Sequence, residues 1–233
     1  MNKIFTSQSP FVTEDNRRFR PQLKTTADLL NVKHEALLPE PVVRGATVLD
    51  LGSCIGATGY WVSRLGGASY LGVEHQEGYV QTARRLLADM PRCAIQQDTA
   101  EEFLLHSSGR FDIVCLLGIA HGVYDPLALI RSAASRADKY LCFDDMGWNT
   151  DDPALIVDPI MKMPLAGEKA ATVGFGWFIS PAAMEAIVKF LGFAPEMPPK
   201  FTHPKRWMCR YRRIGGEGQE ASFSTQTVAW PAE

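Results

Sequence analysis

The stretch TVLDLGSCIGATGYW, residues 47–61, constrains this chain more than any other. ATVLDL reads as a buried strand, Gly52 and Gly56 as a tight turn, and ATGYWVSRLG as a helix closed by glycine. A strand that feeds a helix through a glycine turn is the layout of a nucleotide-cofactor site. The dinucleotide fingerprint G-x-G-x-x-G, counted from Gly52, needs glycine at 54 and 57, where the chain has Cys54 and Ala57. A P-loop fails as well, because no Gly-Lys-Ser/Thr follows. What remains is Asp50-x-Gly52-x-x-x-Gly56, with an acid before the first glycine. That acid is a poor neighbour for pyrophosphate and a good one for an ammonium or sulfonium group. Cys54 is expected to fit the turn at negative φ, altering it slightly.

From residue 46 onward, apolar runs of strand length alternate with helical stretches. ASYLGVE, RCAIQQD, FDIVCLLG and KYLCFDD follow the first strand, with helices between them. Such alternation predicts a parallel sheet with helices on both faces. Before it, TTADLLNVKHEALL predicts a helix whose apolar stripe is Leu29, Leu30, Val32, Leu37 and Leu38. After it, residues 145–176 form an irregular interruption rich in Pro, Gly and Met, the length of a functional loop. A helix capped by Ser180 and closed by Gly192 comes next, then a last strand, RWMCRYRR, in which Arg206, Arg210 and Arg212 alternate with apolar residues as surface charges. The organisation expected is a helical cap segment at 1–44, a cofactor domain at 45–213 with a lid insertion near 145–176, and a tail at 214–233.

The net charge of -2 removes the basic excess that a nucleic-acid partner usually demands. No apolar run is long enough for a membrane span, and the first residues lack the apolar core of a signal peptide, so a cytoplasmic protein is expected. The five cysteines are scattered, and three lie in apolar strand-like runs, reading as small buried hydrophobes in a reducing compartment.

Two further acids complete the picture. Glu74 closes the second strand, where a carboxylate accepts hydrogen bonds from vicinal ribose hydroxyls. Asp98 closes the third, where it can accept from an exocyclic adenine amine. Together with Asp50 they describe a pocket for a cationic nucleoside. The motifs VLDLGSCIG, YLGVEH, QQDTAEEF and FDIVCLLGIAHGVYDPLALI, within residues 45–213, resemble those of class I S-adenosylmethionine (SAM)-dependent methyltransferases. The resemblance implies a Rossmann-like seven-stranded, mostly parallel sheet with helices on both faces and a helical cap. It implies SAM as the cofactor, held by Asp50, Gly52, Ser53, Cys54, Gly56, Glu74, His75, Asp98, Thr99 and Gly118.

The fourth strand leads into GIAHGVYDP, which brings His121 and Tyr124 to the pocket mouth as candidate catalytic residues. Histidine titrates near neutrality and can take the proton of a hydroxyl or ammonium acceptor. Trp148, Asn149 and Trp177 are the candidates for lining the acceptor pocket. Asp144 and Asp145 end the fifth strand, where related enzymes hold magnesium, but the fourth strand ends without an acid to complete the set, so no metal is expected. Arg17, Arg18 and Arg20 could grip an anionic group or form a solvated turn. The expected activity is methyl transfer to a small metabolite. Two alternatives remain: a cyclase that converts SAM into azetidine-2-carboxylate and methylthioadenosine, with aromatic walls from Tyr124, Trp148, Trp177 and Phe178, and a non-catalytic SAM-binding module.

Overall fold

The computed structural model describes residues 3–12, 26–158, 162–163, 172–173 and 176–215. Arg17, Arg18 and Arg20, most of the 159–175 stretch and the tail from 216 lie outside the described residues.

Helix α1 (Thr26–Leu37) and the short α2 (Glu40–Val43) precede β1 (Thr47–Leu51). Then come α3 (Ala57–Arg64), β2 (Ser69–Glu74), α4 (Glu77–Leu86), β3 (Cys93–Gln97), α5 (Ala100–His106), β4 (Phe111–Leu117), α6 (Pro126–Arg136) and β5 (Ala137–Met146). Beyond β5, the strand β6 (Leu155–Asp158) pairs antiparallel with β9 (Gly176–Ile179), and β7 (Lys162–Met163) with β8 (Thr172–Val173). The chain closes with α7 (Pro181–Phe190), β10 (Phe193–Pro195), β11 (Lys200–His203) and β12 (Arg206–Arg213).

The main sheet runs β10-β12-β5-β4-β1-β2-β3, seven strands in one path, and β11 adds an eighth by pairing with β12. The strands from β5 to β3 are parallel; β12 enters antiparallel to β5. The order reverses between β1 and β4, which opens a crevice at their carboxyl ends. Every residue singled out for the cofactor belongs to these strands or to the turns that leave them.

Alternation along the strands separates two cores. Leu49, Val114, Leu116, Leu141, Phe143 and Trp207 pack against α5, α6 and α7. Val48, Tyr70, Ile113, Cys115, Cys142 and Met208 pack under α1, α3 and α4. Asp50 follows Leu49 on β1 and so falls on the α1 side.

Helix α1 is held there by specific bonds. Asn31 exchanges two hydrogen bonds with the backbone of Phe5, and Arg210 donates to the carbonyls of Ala36 and Leu37 at the end of the helix. Two expectations change as a result. Val32 is exposed, and the buried positions of α1 include Asn31 and His34 instead. Arg206 and Arg210 are not surface charges, since α1 covers their face of β12; Arg212 is exposed. Cys115, Cys142 and Cys209 are buried as read, and all five thiols are free.

Trp207 ties the insertion to the sheet: its indole N–H donates to the Ile179 carbonyl of β9 at 2.8 Å. Trp207→Phe keeps the ring burial but orphans that carbonyl, so a loss of about 1–2 kcal/mol is expected in denaturant unfolding.

Candidate functional site

The turn after β1 has a regular backbone signature. Gly52, Cys54 and Gly56 all have positive φ, at 75°, 50° and 83°. Gly52 and Ser53 both donate their N–H to the Val73 carbonyl, which pins the turn to β2. Cys54 therefore departs from expectation: it does not escape to negative φ but stands in the left-handed region that glycine favours. A residue with a Cβ there costs roughly 1–2 kcal/mol. The bonds of the turn to Val73 hold the backbone there, and the side chain itself is exposed. Its backbone N–H donates to Glu74 Oε2 at 3.0 Å.

Three carboxylates stand at the ends of the adjacent strands β1, β2 and β3. Asp50 is 2% exposed; its Oδ2 accepts from the Tyr70 hydroxyl at 2.9 Å, and its Oδ1 has no partner among the described residues. Burial pushes its carboxyl up from 3.8 to about 6, against the pull of the Tyr70 hydroxyl. Ser53 Oγ is a second buried polar atom without a partner. Glu74 is buried; Oε1 accepts from the Gln76 N–H at 2.8 Å, and each oxygen keeps a lone pair for a hydroxyl. The exposed His75 ring lies 3.2 Å from the same oxygen. Asp98 is half-buried and accepts from the Thr99 N–H, while the Thr99 hydroxyl caps α5. An unpartnered oxygen on the buried Asp50 carboxylate and a second on the Ser53 hydroxyl suit a cationic, hydrogen-bonding ligand, and the residues present fit SAM.

The fourth strand ends at Gly118, φ 88°, and the Arg206 guanidinium lies 3.0 Å from the point a Cβ would occupy there. The chain then turns through Ala120–Gly122. His121 is placed beside it, and its Nδ1 lies 2.5 Å from Asp145 Oδ1. The same carboxylate accepts from the backbone N–H groups of His121 and Met146. Asp145 is 1% exposed and His121 12%, so the pair is shielded from water. A histidine that donates from Nδ1 to a carboxylate presents Nε2 as a base.

Sequence reading missed this partnership, and that of Asp144. Asp144 takes a bidentate grip from Arg206, two bonds of 2.8 Å, with Lys33 Nζ 3.8 Å away. Tyr124 is 92% exposed and does not enter the pocket. Asn149 is exposed too. Trp148 packs at a tilt of 39° against Phe178, centroids 5.8 Å apart, with Lys205 Nζ 4.6 Å over its ring. Trp177 neighbours Phe178 on β9 and is half-buried.

Residues 48–137, spanning β1 to the end of α6, match a family model described as a methyltransferase domain. The match covers the strands and turns that form the candidate site, and the chain outside it has no family match of its own. The matched stretch includes Asp50, Glu74, Asp98 and His121. Solved structures agree on the fold. The N-terminal domain of EvdMO1 with SAH bound is 20% identical, with 83% of this chain and 82% of that one covered at a TM-score of 0.58. Magnesium protoporphyrin IX methyltransferase from Synechocystis PCC 6803 with bound SAM is 16% identical, covering 86% and 91% at 0.56. A SAM-dependent methyltransferase from Mesorhizobium loti is 18% identical, covering 74% and 93% at 0.56. No curated protein matches the chain. No helix among the described residues is long and apolar enough to cross a membrane.

Two outcomes follow for the β1 turn. Cys54→Gly relieves the left-handed cysteine but loosens the unfolded chain, so thermal melting should show a change between none and about +1 kcal/mol, with the turn intact. The folded pKa of Asp50, about 6, exceeds the ordinary 3.8, so the folded state binds more protons between these values. Stability is therefore lost as pH rises through that window. Asp50→Asn should raise stability by about 1–3 kcal/mol at pH 7.5, and the gain should shrink towards pH 4. Melting curves across pH measure it.

Proposed function

We propose that the chain binds SAM at the β1–β3 strand ends and transfers its methyl group to a small molecule. The observation that carries this reading is the set of Asp50, Glu74 and Asp98 around the Gly52 turn, with Asp50 Oδ1 and Ser53 Oγ buried and unpartnered. SAM supplies an electrophilic methyl on a sulfonium. In this reading Asp50 offers the cation a carboxylate, Glu74 accepts from the ribose hydroxyls and Asp98 from the adenine amine. Ser53, Cys54, Gly56, His75, Thr99 and Gly118 shape the same wall.

His121 serves as general base. Asp145 fixes the ring, keeps the proton on Nδ1 and stabilises the imidazolium once Nε2 has taken the acceptor's proton. Trp148 and Trp177 supply apolar wall to the acceptor side. The exposed Tyr124 and Asn149 contribute only if the surrounding loops close over the acceptor. The absence of a basic excess in the chain, net charge -2, supports a small acceptor over a nucleic acid.

The test begins with SAM alone and with acceptor mixtures. S-adenosylhomocysteine formed only in the presence of an acceptor supports transfer. Methylthioadenosine from SAM alone would replace transfer by the cyclase reading, and tight binding with neither product would leave a binding module. With the acceptor in hand, Asp145→Asn and His121→Gln should each lower kcat by about 10²–10⁴-fold while SAM affinity stays within a few-fold. Unchanged turnover would remove the base from the scheme.

A further inference from the structure

The end of β5 brings a lysine to the side of the sheet that carries His121. Gly147 donates its N–H to the Lys205 carbonyl at 3.1 Å, which extends the β5–β12 pairing one step past Met146 and Arg206. Lys205 thus lies two residues, roughly 7 Å, beyond Trp207, the partner of Asp145. Side chains alternate along the strand, so Arg206 turns to the α1 face and Lys205 to the face of Asp145 and His121. The contacts agree. Lys205 Nζ stands 4.6 Å from the centroid of the Trp148 ring and 5.8 Å from that of Phe178. Phe178 belongs to β9, and β9 also packs against the Ala120–Gly122 turn that carries His121.

The backbone here is fixed. The Lys205 N–H donates to His203 Nδ1 at 3.2 Å, and a Cβ at Gly147 would stand 2.2 Å from both the Ile179 carbonyl and Trp207 Nε1. What can move is the four-carbon stem of the lysine. Lys205 is half-buried, and its Nζ meets two rings and no carboxylate among the described residues. A ring face orients an ammonium but holds it less strongly than an anion does, because it offers a quadrupole in place of a full charge. Trp148 is partly exposed, so a ligand can lie beside its ring and draw Nζ across.

We propose that Lys205 recognises an anionic group on the methyl acceptor, a small hydroxyl-bearing molecule whose carboxylate or phosphate meets Lys205 Nζ while its hydroxyl meets His121 Nε2. The inference rests on the methyl-transfer reading above and adds the chemical class of the acceptor. Trp148 then holds the ammonium in place until the acceptor arrives and forms its wall afterwards.

The test saturates the protein with S-adenosylhomocysteine and titrates it with the three hydroxybenzoates, the matching hydroxyphenyl phosphates and the neutral hydroxybenzamides, read by ligand-observed NMR. In the wild type at least one anion should bind about 10-fold or more tightly than its amide. In Lys205→Met that preference should fall to within about 3-fold with the amide affinity unchanged, and Lys205→Arg should keep most of it. Lys205→Gln serves as a second neutral variant should the first melt early. Whichever of carboxylate and phosphate shows the larger preference identifies the group. No anion preference in the wild type, no binding of any probe, or a preference that survives in the neutral variants overturns the assignment of Lys205. Calorimetric titration with S-adenosylhomocysteine separates the two readings: binding there leaves the SAM site standing whatever the probes do, and its absence overturns both.

Discussion

The site depends on a carboxylate that cannot reach water. Asp50 sits on β1, the strand flanked by β2 and β4, and ionising it there is costly. The surroundings answer that cost only in part. Tyr70, from β2, donates its hydroxyl to one oxygen, and it can lie where it does because Gly59 of α3 has no Cβ; one there would stand 2.6 Å from the ring. His34, on α1, is buried beside Thr58 and held down to about 3 by burial, so it is a polar neighbour without charge. The other oxygen of Asp50 has no partner among the described residues. A fold that only needed stability would place an apolar side chain at this point, and this cost is what the proposed ligand would offset.

The second constraint is the two-residue period of β5. Consecutive acids at its end must face opposite sides of the sheet. Asp144 turns to the α1 face and meets Arg206, which the antiparallel β12 brings alongside. Asp145 turns to the other face and meets His121. One dipeptide thereby engages Arg206 on one face and His121 on the other, on either side of the same strand end. A shift of register by one residue would exchange the two roles and strand both bases.

The parallel half of the fold was legible in the sequence because each βα unit repeats one signal: an apolar run, a turn, an amphipathic helix. The strand-end acids could be read for the same reason, since their places are fixed by where each run stops. What was not legible needed information at long range. His121 and Asp145 are separated by a whole helix and strand. Arg206 alternates with apolar residues just as a solvent-facing residue does, and nothing local says that α1 lies over it. Lys33 went unnoticed because α1 was read for its apolar stripe, which marks where a helix packs and not which polar residue it carries inward. The sign of φ at Cys54 is set by the bonds of the turn to Val73, and those outweigh the preference of cysteine.

Charge varies across the crevice in one direction. The ends of β1, β2 and β3 carry Asp50, Glu74 and Asp98, whereas the end of β5 presents Lys33 and Arg206 around Asp144. Such a gradient selects by order of charge as well as by sum. A dinucleotide is anionic along its middle and would set its pyrophosphate against Asp50. The acid four residues before position 54 therefore weighs against a dinucleotide more than the missing glycine does.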